Sequence, residues 1–110
     1  MKIILFFILL FTLSLSFSQV SGQIYDDKRP IIKPIEFKVK GTKPGLMVFD
    51  ISVDEKGNVI SCRLDKVKTK GYSTPNMVKA RNLITSHLKF EANSVYPKFH
   101  LGQVQVVIYK

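Results

Sequence analysis

The clearest pattern in the chain is the alternation of apolar and polar positions from Leu46 to Val67. Met47, Phe49, Ile51 and Val53 alternate with Asp50, Ser52 and Asp54, and Ile60, Cys62 and Leu64 alternate with Ser61, Arg63 and Asp65. A two-residue period sends successive side chains to opposite faces, so the stretch predicts a half-buried β-hairpin. The loop between the arms, Asp54 to Asn58, fits a type I turn followed by a residue at positive φ. Gly57 takes that conformation without strain.

A different period follows. Lys68 to Tyr72 is a loop broken at Gly71. Ser73 or Thr74 can accept backbone hydrogen bonds as N-cap, and Pro75 suits a first helical position. Met77, Ala80, Leu83, Ile84, His87 and Leu88 recur at three- and four-residue spacing, predicting an amphipathic helix from Thr74 to about Leu88 that covers the sheet. Phe90 should plug the helix end into the core, and Glu91 to His100 is a loop carrying Pro97. Val104, Val106 and Ile108 then mark a last strand from Leu101 to Lys110.

Before the hairpin, Pro30, Pro34 and Pro44 exclude a helix. Ile35, Phe37 and Val39 alternate with Glu36, Lys38 and Lys40. This segment reads either as a short extra strand at the hairpin's edge or as an extended linker. The expected fold is α+β: a two-layer sandwich in the order β-β-α-β. One helix covers a three-stranded antiparallel sheet, four-stranded if the extra strand joins.

Composition adds a leader. Met1 and Lys2 precede an apolar run from Ile3 to Phe11, then apolar residues mixed with hydroxyls to Ser18. This is the n-region and h-region of a secretory signal, with cleavage expected before Gln19 or as late as Gly22. The chain divides on this reading into a signal at 1–18, an extended lead-in at 19–44 and a domain at 45–110. The expected location is the periplasm or cell envelope, or secretion outside it. Membrane association through the leader follows only if it is left uncleaved.

The formal charge of +9 comes from 17 basic and 8 acidic residues among 110. The lysines are dispersed, and export makes nucleic acid an unexpected partner. Lys38, Lys40 and Lys43 together with Lys66, Lys68 and Lys70 form one conceivable patch for anionic lipid or polysaccharide, the alternative to the binding mode below.

Nucleophilic and metal chemistry find little purchase. Cys62 is the single cysteine and falls on an apolar face, where a small buried hydrophobe is the better reading. His87 falls on the helix stripe and His100 in a loop. A thiol catalyst needs an exposed, acidified Cys with a base beside it. Two His and one Cys lack metal-ligand spacing, and the turn at Asp54-Glu55 is too short for a calcium loop. No catalytic residue, metal or cofactor is expected.

Taken together, Ile51-Ser52-Val53-Asp54, Gly57-Asn58-Val59, the helix from Thr74 to Leu88, Leu88-Lys89-Phe90-Glu91-Ala92 and the strand Val104 to Tyr109 resemble, in order and spacing, the C-terminal domain of TonB proteins. The resemblance covers roughly residues 45–110. With its signal-like leader and short lead-in, the chain looks like that terminal domain exported by itself. The resemblance implies a non-enzymatic module that binds a protein or peptide, such as a segment of an outer-membrane transporter, beside its last strand. Edge-strand N–H and C=O groups make this physically workable. The implied partner-binding residues are Gln103, Val104, Gln105, Val106 and Val107, unless dimerisation of two copies covers that edge.

Overall fold

The computed structural model describes residues 20–110; the predicted signal segment, 1–18, lies outside them. The fold is α+β with a mostly antiparallel sheet and two helices. In chain order the elements are β1 (Val20–Ser21), α1 (Gln23–Asp26), β2 (Ile31–Lys33), β3 (Lys38–Lys40), β4 (Gly45–Val53), β5 (Val59–Leu64), α2 (Thr74–His87), β6 (Lys89–Phe90) and β7 (His100–Tyr109).

The hairpin β4–β5 forms as its alternation predicts. Gly57 has φ +88°, and its N–H donates to the Asp54 carbonyl at 3.0 Å. The Asp54 carboxylate also accepts from the backbone N–H groups of Lys56 and Asn58. One detail departs from the alternation. Ser52 faces Ser61 and Val53 faces Val59, so Ile60 is an extra residue in a bulge. The bulge gives Val59 the core position and leaves Ile60 48% exposed.

The helix is capped by Ser73, whose hydroxyl accepts from the Asn76 N–H. Ala80, Ile84 and Leu88 pack with Met47, Phe49, Ile51, Val104 and Val106 in the core. His87 is exposed, contrary to its place in the stripe. It precedes buried Leu88, and a helix turns about 100° per residue, so it rotates off the packed face. Phe90, fully buried in β6, closes the helix end as expected.

The lead-in corrects two expectations. It is neither a linker nor a partner of the hairpin's edge. Val20 and Ile24 are buried core residues, and β2 pairs with β6. The extra strand, β3, runs parallel to β7, with Lys38 opposite Val107 and Lys40 opposite Tyr109. The sheet therefore has five strands, and β7 lies inside it. The reason is geometric: β5 is short and bulged, whereas β7 is ten residues long and its second side is open to the lead-in. Val39 faces the core there beside Ile108, and the Gly41 N–H donates to the Tyr109 carbonyl at 2.7 Å.

Candidate functional site

The five predicted partner-binding residues lie in β7, and the structure separates their roles. Val104 and Val106 point into the core and are fully buried. Gln103 is half-buried on the other face. Its amide nitrogen donates to Asp50 Oδ1 at 2.7 Å, and its Oε1 accepts from Lys68 Nζ at 3.0 Å. Gln105 is exposed and Val107 is 43% exposed.

The β7 edge is not open, as the sequence reading required. Val20 and Ser21 of β1 pair antiparallel with Val104 and Gln103. Further along, β3 pairs with Val107, Ile108 and Tyr109, and the Val107 N–H donates to the Phe37 carbonyl at 2.9 Å. Among the described residues, only Gln105 and Val106 between these two covers lack a paired residue on that side. The two covers are not held equally. Val20 is in the core, whereas β3 has Lys38 and Lys40 exposed and Val39 half-buried.

What ties the turn after α1 to the hairpin loop and the start of β7 is a buried polar cluster that sequence reasoning missed. Arg29 is 2% exposed. Its Nε and Nη2 donate to the Glu91 carbonyl at 2.9 and 2.8 Å, and Nη2 also donates to the Asp54 carbonyl at 2.8 Å. Its Nη1 lies 3.2 Å from His100 Nδ1, and its guanidinium carbon sits 4.1 Å from the Tyr96 ring centroid. Backbone bonds reinforce the tie, since the Glu91 N–H donates to the Pro30 carbonyl. Burial pushes the guanidinium below its usual pKa, against the raising influence of Tyr96, Asp54 and Glu91. Burial, with the Glu91 carboxylate beside it, pushes the Tyr96 phenol upward.

His100 is the first residue of β7 and is fully buried, not a loop residue. An arginine can only donate, so Nδ1 is the acceptor and the proton sits on Nε2, which donates to Asp27 Oδ2 at 2.6 Å. Both ring nitrogens are thus engaged. A general base needs a nitrogen free to meet its substrate, and this imidazole offers none. Cys62 is half-buried on β5, two strands away from β7. Burial pushes its thiol up to about 12, opposite to the acidification that makes a nucleophile. Among the described residues no three His, Cys, Asp or Glu side chains gather as metal ligands. A cavity between Val20, Ile24, Ile31 and Phe90 has about 10 Å³ of room, space for one water at most. Among the described residues no helix is long and apolar enough to cross a membrane.

The Asp-Asp-Lys-Arg-Pro run at 26–30 reads as a solvated turn, and no local signal marks its arginine for burial. Comparison with protein-family models, with curated proteins and with solved structures gives no match.

Proposed function

We propose that the chain is a non-enzymatic protein-binding module of the cell envelope, resembling the TonB C-terminal domain and taking a partner strand beside β7. The finer layering belongs to this reading: hairpin, α2 and β7 as a two-layer unit, with the lead-in added on one side. One observation carries it. The β7 edge that the resemblance assigns to a partner is the edge along which the chain lays its own two short strands, one antiparallel and one parallel. These are stand-ins for a bound peptide. A partner strand enters at Gln105 and Val106 and replaces β3, whose three residues bury little, while β1 is kept in place by its buried Val20. Backbone pairing supplies the affinity, and the alternating side chains of the partner supply the selectivity.

The test is photo-crosslinking in the native envelope with a probe at Gln105 and a control probe at Lys79 on α2. Capture of an outer-membrane transporter segment at Gln105 alone supports the reading. A companion variant, Lys38→Cys with Val107→Cys, ties β3 to β7 across directly paired positions. Oxidising it should abolish capture and reducing it should restore capture. Capture that persists in the oxidised protein removes the replacement of β3. Capture of a second copy alone reassigns the edge to a dimer.

A further inference from the structure

The sheet face turned away from α2 carries side chains that can act while β3 stays paired with β7, before any partner strand replaces it. Met47, Val106 and Ile108 are buried in the core, so their neighbours Leu46, Val107 and Tyr109 lie on the opposite face. Register places Lys38, Val107, Leu46 and Lys70 in one row across this face, with Lys40 beside Tyr109 in the next. Lys38 Nζ stands 5.5 Å from the Tyr109 ring centroid, and Lys68 reaches over the face to Gln103. Four lysines that are scattered in sequence are thereby gathered on one surface.

The same face also exposes apolar side chains toward its two ends, with Asp50 and Gln105 exposed between them. Val107 and Tyr109 are each 43% exposed and Leu101 is 51% exposed. Two acidic side chains on the face, Asp50 and Asp65, both accept from the Gln103 amide, and exposed Glu36 stands at its border, two residues before Lys38. Asp50 and Asp65 sit toward the middle. The end built from β3, the start of β4, Lys70 and the last residues of β7 contains no acidic residue.

We infer that this face is a docking surface for an anionic lipid leaflet. Exposed aliphatic side chains gain from an apolar partner, and the lysines around them gain from anionic charge; a leaflet of acidic lipid offers both at one plane. A polysaccharide stacks on aromatic rings and leaves Val107 and Leu101 in water. A second copy of a chain with a formal charge of +9 meets this face with like charge.

The experiment is sedimentation of the full chain with vesicles of phosphatidylglycerol and phosphatidylcholine in equal parts. Vesicles of phosphatidylcholine alone serve as reference for whatever residues 1–18 contribute. Binding above that reference should weaken as salt rises. Lys40→Gln with Lys70→Gln should lower the partition coefficient about thirtyfold, since each lysine near an acidic leaflet contributes about 1 kcal/mol. Val107→Asp should lower it as well. Lys79→Gln, which removes the same charge from α2, should leave it within about twofold, because that lysine stays beyond a Debye length of the leaflet. Equal loss from Lys79→Gln would overturn the inference in favour of diffuse charge. No excess binding to the acidic vesicles would overturn it too, as would tighter binding to a soluble acidic polysaccharide or polypeptide that ignores Val107→Asp.

Discussion

Nε2 of His100 lies 2.6 Å from Oδ2 of Asp27, joining the first residue of β7 to the turn that follows α1. The two ends of this bond sit in different surroundings: the His100 side chain is 1% exposed and that of Asp27 is 56% exposed. An exposed carboxylate keeps much of its hydration, so the pair stabilises modestly, while the imidazole's burial makes His100 itself costly to lose. His100→Ala should therefore destabilise by about 2–4 kcal/mol, through the lost packing and the unpaired Arg29 N–H. Asp27→Ala should cost about 1 kcal/mol or less. A double-mutant cycle in urea should return a coupling of about 0.5–1 kcal/mol. Nitrogen chemical shifts of the ring should show Nδ1 bare and Nε2 protonated, and the reverse pattern would contradict the bond from Arg29.

Arg29 should be the least replaceable polar residue of the lead-in. Removing it takes the side-chain donor from the buried Glu91 carbonyl and from His100 Nδ1, each at about 1–3 kcal/mol, while the Asp54 carbonyl keeps the Gly57 N–H. Arg29→Met is expected to cost about 2–5 kcal/mol by urea titration. Arg29→Lys should recover little of this, because one ammonium cannot reproduce the planar fork that reaches three acceptors. Limited proteolysis should find new cleavage between residues 19 and 33 in Arg29→Met. If the lead-in stays protected, the cluster is not what holds it.

These residues show where the sequence speaks and where it is silent. The hairpin is legible because an alternating pattern and an Asp-Glu-Lys-Gly-Asn turn both point to the same structure. The helix is legible because Ser73 and Pro75 mark its start and Ala80, Ile84 and Leu88 share one face. Even there Ile60 and His87 fall on the wrong side, since one bulge or one helical step reverses a single residue. The lead-in is different. Strands of two and three residues owe their existence to their partners, β7 for β1 and β3 and β6 for β2, not to their own pattern, and three prolines interrupt any period. Arg29 is illegible for a related reason: its burial depends on carbonyls that arrive from Asp54 and Glu91, far along the chain. Of the predicted site, the alternation correctly sends Val104 and Val106 inward. It carries no information about which strands flank them, so the covered edge could not be foreseen.

Cys62 should behave as a protected thiol. Burial raises its pKa from 9.0 to about 12, with Arg81 opposing. The unfolded thiol ionises above about 9 while the folded one keeps its proton until about 12. Folding stability from this group is therefore intact below pH 9 and declines as pH climbs toward 12. Alkylation by iodoacetamide at pH 8 should be on the order of a hundredfold slower in the native protein than in urea. Rapid native alkylation at that pH would show an exposed thiol and refute the packing of β5 against the core.

Gly57 is constrained twice, and the two constraints can be told apart. Its φ of +88° lies in the left-handed region that a side chain rarely adopts. That alone makes Gly57→Ala cost about 1–2 kcal/mol. A Cβ placed there would also collide with the carbonyl oxygen of Phe90, whose N–H donates to the Gly57 carbonyl at 2.9 Å. That neighbour is backbone, so it cannot swing away; β6 must move, and with it Phe90 leaves its place in the core. The expected cost of Gly57→Ala is then about 3–5 kcal/mol, the range of a disrupted aromatic core position. Gly71 offers the comparison. It too has positive φ, at +76°, but a Cβ there meets its nearest atom, the Pro44 carbonyl oxygen, at 3.1 Å. Gly71→Ala should show the conformational cost with little else, about 1–2 kcal/mol. Equal destabilisation at the two glycines would mean that β6 does not lean on the hairpin turn, and that Phe90 is held by α2 and β2 alone.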